Sequence, residues 1–177
     1  MFRNILFLIA IFFILNTNNV YSQPNILKTF NNIVIHEKPK DLPDLELINK
    51  KGNRIIFNDF SSKLTLLNFW ATWCAPCKEE MPHLDKLVSK HKFKEIKVIP
   101  INIADEKLEK SIEFFEKLNI KNLEIFYGSS LDLAKKFKLR GIPTTIFIDK
   151  EGYEFARVIG FIDFENKLFL EWLSNQL

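Results

Sequence analysis

What is scarce in this chain narrows it first: 177 residues contain two cysteines, three histidines and two methionines. One cysteine pair leaves no room for a framework of several disulfides. A closed zinc site needs about four ligands at usable spacing, and beside the two cysteines stand only His83 and His91, so no metal is expected. Charge of one sign is also lacking. With Arg3 set aside, 24 basic residues face 22 acidic ones, and this near balance argues against nucleic acid or a strongly charged surface as the main partner. Long hydrophobic runs are missing too, since the apolar stretch from Ile5 to Leu15 falls well short of the ~20 residues that span a bilayer. No internal repeat or low-complexity tract is present. The 18 phenylalanines are read as core.

Arg3, the run Ile5 to Leu15, the polar Asn16-Thr17-Asn18-Asn19 and the closing Val20-Tyr21-Ser22 form the three regions of a secretory signal. Cleavage after Ser22 is favoured over retention as an anchor, and a lipid anchor is excluded because no cysteine lies near that point. The expected organisation is a signal over 1–22, a linker or N-terminal extension over 23–43, and one domain over 44–177, an ordinary domain size.

What is present is a concentrated motif. Both cysteines stand in Trp73-Cys74-Ala75-Pro76-Cys77, after an apolar run ending Leu66-Leu67-Asn68-Phe69-Trp70 and before a helical pattern. A Cys-x-x-Cys opening a helix puts both sulfurs on one turn, within the ~5.5 Å Cα separation that a disulfide needs. Cys74 at the helix N-terminus faces unpaired N–H groups and the positive end of the helix dipole, which favour thiolate, so it is the expected nucleophile and the exposed member of the pair. Cys77, one turn in, suits the resolving role. Pro76 fits the first turn, where its missing N–H costs nothing. An inert disulfide across so short a loop adds little stability, and nothing around Thr72 resembles the pocket of a one-cysteine peroxidase.

The rest of the chain reads as alternating strands and helices. Leu45 to Ile48 and Arg54 to Phe57 flank the turn Asn49-Lys50-Lys51-Gly52-Asn53 as a hairpin. Leu64 to Phe69 is a buried strand, Pro76 to Lys90 a helix that Pro82 should kink, and Ile96 to Ile103 a second central strand, which makes a βαβ unit with the cysteines at the C-terminal end of its first strand. Asp105 is expected to cap a helix with Leu108, Ile112, Phe115 and Leu118 on one face. A strand over Leu123 to Tyr127 follows, and Ser129 with Asp132 forms a capping box for a helix from Ser130 to Phe137. Thr144 to Ile148 and Glu154 to Ile159 form an antiparallel hairpin. Asp163 is expected to cap a last helix that buries Leu168, Phe169, Trp172 and Leu173. The fold class is α/β, a mixed sheet flanked by helices.

The segment Asn68-Phe69-Trp70-Ala71-Thr72-Trp73-Cys74-Ala75-Pro76-Cys77-Lys78-Glu79-Glu80-Met81-Pro82, together with Gly141-Ile142-Pro143-Thr144-Thr145-Ile146-Phe147-Ile148-Asp149, resembles the thioredoxin superfamily. The closer similarity, over about Leu42 to Leu177, is to its exported TlpA and ResA branch. The resemblance implies a thioredoxin-like fold with an N-terminal hairpin and a central insert. It implies a thiol-disulfide oxidoreductase without cofactor, working through a Cys74–Cys77 couple in the periplasm or on the outer face of the inner membrane. Partners so implied are proteins with disulfides, apocytochromes among them, and a membrane electron donor; the chain is expected to be a monomer.

By the same resemblance Pro143 is the cis proline opposite the cysteines, with Trp73, Ile142 and Thr144 as substrate contacts. Glu80 is the acid beside the pair. Asn68 replaces the buried aspartate that moves protons in cytosolic thioredoxins and cannot titrate. Trp70 and Trp73 shield the pair, while Glu79 and His83 are solvated surface residues. The branch devoted to late haem-ligation steps often carries Glu where this chain has Thr144. Two further readings stay open, an oxidant that donates its disulfide and a Cu(I) chaperone holding the metal between two thiolates.

Overall fold

The computed structural model describes residues 29–57 and 62–177. The expected signal, 1–22, lies outside them. The described strands are β1 (Ile33–Lys40), β2 (Leu45–Asn49), β3 (Arg54–Phe57), β4 (Leu64–Trp70), β5 (Ile96–Asn102), β6 (Phe126–Tyr127), β7 (Thr144–Asp149) and β8 (Glu154–Ile159). The helices are α1 (Ala75–Ser89), α2 (Leu108–Lys117), α3 (Ser130–Lys136) and α4 (Lys167–Ser174), with a 3₁₀ turn at His91–Phe93. All eight strands form one mixed sheet in the order β1-β8-β7-β4-β5-β6-β2-β3.

The middle of that sheet follows from composition. Leu64–Trp70 has every residue buried, as expected of a strand covered on both faces. It runs parallel to β5, Leu64 against Ile96 through Trp70 against Asn102, and antiparallel to β7, Leu64 against Asp149 through Phe69 against Thr144. Alternate side chains feed two cores. Leu64, Leu66 and Trp70 join Met81 and Leu84 of α1, Phe114 and Phe115 of α2, and Trp172 of α4. Leu67 and Phe69 join Leu45 of β2 and Leu133 and Phe137 at α3 on the other face.

Several expectations need correction. Residues 33–40, read as part of a linker, form an edge strand antiparallel to β8, Ile33 against Val158 and Lys40 against Glu154. The strand expected over Leu123 to Tyr127 shrinks to Phe126–Tyr127. Asp105 does not cap α2: Lys107 holds that position without a side-chain bond. Ser111 and Phe114 share the buried face of α2, while Ile112 is exposed. Ser129 does stand at the N-cap of α3, but its side chain makes no capping bond. Asn166 rather than Asp163 caps α4, accepting from the N–H groups of Leu168 and Phe169. Leu168 is exposed, whereas Phe169, Trp172 and Leu173 are buried. The helix expected from Pro76 to Lys90 is borne out as α1, with Pro82 inside it.

Candidate active site

Strand β4 ends at Trp70, and the chain turns once before α1 begins at Ala75. Cys74 is the N-cap of that helix, in extended conformation (φ −77°, ψ 108°). Its Sγ accepts the N–H of Cys77 at 3.2 Å. That bond and the helix dipole both favour negative charge on Cys74. The two cysteines are joined as a disulfide, with Cα atoms 5.3 Å apart. The expectation of an exposed Cys74 is corrected: Cys74 is 4% and Cys77 1% exposed, so the two differ by place on the helix rather than by access. Trp73, next to Cys74 in the chain, is 68% exposed. Trp70 is fully buried, its ring packed against Phe114 at 4.6 Å between centroids.

The turn carrying the cysteines is fastened to the loop after β5. Glu106 Oε2 accepts the Thr72 hydroxyl at 2.8 Å, and its Oε1 accepts the Asn102 amide at 3.1 Å. Asn102 also donates to Ser111 Oγ and accepts the N–H of Ala104. Burial raises the Glu106 carboxyl, but the bonds from Asn102 and Thr72 outweigh it and hold the group below its ordinary value. Sequence reasoning missed this latch. The available signal was Asn102, a polar residue closing the apolar run Val98 to Ile101.

Glu80 lies one turn beyond Cys77 on α1, and residues three apart on a helix are surface neighbours. Unlike the exposed Glu79, it is 1% exposed. Asn68 Nδ2 donates to its Oε1 at 2.7 Å and the N–H of Ile162 to its Oε2 at 3.1 Å. Burial dominates and pushes the Glu80 carboxyl up to about 8, although both bonds pull it down. Asn68, which cannot titrate, therefore acts on the carboxylate that can, and it also donates to Thr145 at 2.9 Å. His83 is only partly exposed, with Nδ1 3.0 Å from Asp163.

Because Phe69 pairs with Thr144, the end of β4 and the start of β7 leave the sheet side by side, and the cysteine turn neighbours the loop Gly141-Ile142-Pro143. The Ile142–Pro143 peptide is cis. Pro143 is buried and its carbonyl accepts the N–H of Gly160 at 2.8 Å, while Ile142 is partly exposed. Thr144 is placed differently from expectation: it is buried, and its hydroxyl donates to the Gly141 carbonyl at 2.7 Å rather than toward a substrate. Among the described residues no group of three or more His, Cys, Asp or Glu could hold a metal ion.

The family model described as the AhpC/TSA family matches residues 39–153, well over half of the chain. The chain is 31% identical over 125 residues to a thiol-disulfide oxidoreductase ResA of Bacillus cereus, covering 68% of this chain and 69% of that protein. This chain belongs to the AhpC/TSA family, among its ResA-like thiol-disulfide oxidoreductases. The ResA of Bacillus subtilis (strain 168) is 29% identical over 112 residues, covering 63% of this chain and 62% of its own. Among solved structures, the exposed lipoprotein thioredoxin Etrx1 of Streptococcus pneumoniae superposes with a TM-score of 0.61 at 27% identity, covering 75% of this chain and 99% of its own. StoA from Bacillus subtilis shares the fold, with a TM-score of 0.59 at 23% identity over 78% of this chain and 98% of its own. A ResA-like chain is thus an enzyme of disulfide exchange, and the Cys74–Cys77 pair is the part of this one built for it.

Proposed function

We propose that this ResA-like chain is an exported reductase of protein disulfides in which Cys74 attacks, Cys77 resolves and Glu80 carries the proton. The observation that carries the reading is the capped, buried pair with a buried carboxylic acid one turn away on the same helix. In the reduced protein the Cys74 thiolate attacks one sulfur of the substrate disulfide, forming a mixed disulfide and releasing the other sulfur as thiolate. Cys77 then loses its proton and attacks Cys74 Sγ. The Cys74–Cys77 disulfide forms and the second substrate thiolate leaves, so two electrons pass to the substrate. Glu80, raised to about 8 by burial and one turn from Cys77 on the same helix, is the proposed acceptor of the Cys77 proton, which it then passes to a leaving thiolate. Trp73 and Ile142 are the proposed substrate contacts. Pro143, with no N–H, leaves the backbone beside Ile142 free for a substrate strand.

Export rests on the Arg3 to Ser22 pattern and on the resemblance to the exported branch, as do action in the periplasm or on the outer face of the inner membrane, a membrane electron donor, and a role in cytochrome c or oxidase assembly. Cys77→Ser tests the reading. It is expected to trap a mixed disulfide through Cys74, and Cys74→Ser to trap none, with partners identified by mass spectrometry. Apocytochromes or oxidase-assembly proteins among them support the reductase, whereas a broad set of newly exported proteins points to an oxidant. Equal trapping by both variants would reject the assignment of attacker and resolver.

A further inference from the structure

A concave groove of about 540 Å³ runs between β1 and β8 on one side and the turn that ends α3 on the other. Its floor is a buried charge cluster. Arg157 Nε and Nη2 each donate to Glu154 at 2.6 Å, His36 Nε2 lies 2.6 Å from the same carboxylate, and Arg157 Nη1 donates to the Phe137 carbonyl at 3.1 Å. Burial raises the Glu154 carboxyl, but its Arg157 and His36 partners prevail and keep it ionised, so this acid's charge is spent inside the cluster.

The rim is different. Lys40, Lys138 and Arg140 are exposed and their side chains make no hydrogen bond or ion pair among the described residues, and the Lys136 side chain reaches only the Asp44 carbonyl at 3.5 Å. Asp41 is the one rim carboxylate. A concave surface with cations left uncompensated concentrates field and raises the local concentration of anionic groups.

Position gives that charge a meaning. Arg140 immediately precedes Gly141-Ile142-Pro143, and Ile159, at the near end of the groove, pairs with Thr144. Lys40 stands at the far end, opposite Glu154. From Ile159 to Glu154 a strand covers roughly 17 Å at ~3.3 Å per residue. A chain extended past Ile142 therefore enters the groove within a few residues. Cations distributed over that length suit successive carboxylates on a polypeptide better than a single compact anion.

We propose that this groove docks an acidic stretch of the polypeptide whose disulfide Cys74 attacks, about three to eight residues from the attacked cysteine. The proposal rests on the disulfide-exchange reading of the site. It adds a determinant of substrate choice remote from the sulfurs, one that acts through encounter and residence rather than through the chemical step.

The test compares the full reduced chain on three substrates: a neutral small disulfide, a disulfide peptide with three acidic residues in that window on either side of its cysteine, and the same peptide with glutamines. At low salt the acidic peptide is expected to react about tenfold faster than its neutral twin, with the advantage lost near 0.5 M salt. Lys40→Glu with Arg140→Glu is expected to abolish the preference and leave the small disulfide unaffected. The pair Lys40→Gln with Arg140→Gln should give an intermediate preference, and equal urea midpoints would show that each variant folds. Equal rates for the two peptides on the wild type, or a preference surviving both charge reversals, would overturn the proposal. So would inorganic phosphate that binds the groove while the peptides react alike. Failure of the wild type to reduce the small disulfide would instead reject the reading of the active site.

Discussion

Burial pushes the Glu80 carboxyl up to about 8 against the pull of Ile162 N–H and Asn68, and that shift acts on catalysis and on folding in opposite directions. In the proposed mechanism the deprotonated form takes the Cys77 proton, and that form becomes populated only as pH approaches 8, so resolution of the mixed disulfide should accelerate through that range. Glu80→Gln is expected to slow resolution about 100-fold and to remove this rise, read by stopped-flow between pH 6 and 9. Stability has the reverse sign. A carboxyl raised in the fold from an ordinary 4.5 favours the folded state fully below 4.5, and that contribution is lost as pH climbs toward 8. The urea midpoint of the wild type should therefore fall between pH 5 and 8.5 by more than that of Glu80→Gln. Cys74 and Cys77 were legible from spacing, and Glu80 from resemblance. The partner Ile162 was not, because a backbone N–H 82 residues away leaves no mark in a side-chain pattern.

At the scale of elements, the central strands and α1 to α4 were legible because their apolar positions repeat with the right period, whereas the caps were not. Asp105, Ser129 and Asp163 are all competent N-cap residue types, but only Ser129 takes an N-cap position, and its side chain makes no capping bond. Asp163 Oδ1 instead accepts the N–H of Glu165 at 2.8 Å, and the helix waits for Asn166. The stretch after β5 went the same way, since Glu106 was recruited to hold Thr72 and the helix began beyond it at Leu108. This latch should carry weight: Glu106→Ala leaves the Thr72 hydroxyl and the Asn102 amide short of an acceptor and is expected to cost about 1–3 kcal/mol in urea unfolding. Because the Glu106 carboxyl is held below its ordinary 4.5, its contribution is present above that pH and lost as pH falls through the lowered value. The wild type and Glu106→Ala should therefore converge in stability at acid pH.

For the molecule as a whole, sheet order explains both what was hidden and what can be decided next. Strand β1 escaped sequence reading because an edge strand has one neighbour and little to bury; of its eight residues only Ile33 is buried. Yet this strand forms one wall of the groove beside Ile142-Pro143 and supplies His36 to its floor. The direction of electron flow was equally hidden, since it is a sum over the whole fold rather than a property of two cysteines. It can be read as stability. By linkage, the oxidised and reduced chains differ in folding free energy by the gap between the potential of the folded pair and that of the same pair unfolded, about 1.4 kcal/mol for each ~30 mV. A reductase holds its disulfide more firmly in the fold than in the unfolded chain, so the oxidised form should show the higher urea midpoint at equal slope. An oxidant of the DsbA kind, about 150 mV higher than thioredoxin and so about 7 kcal/mol away, would show the reduced form as the more stable. Finding the reduced chain more stable would reverse the proposed direction while leaving Cys74 as attacker and Cys77 as resolver, because those roles depend on the helix N-terminus rather than on the potential.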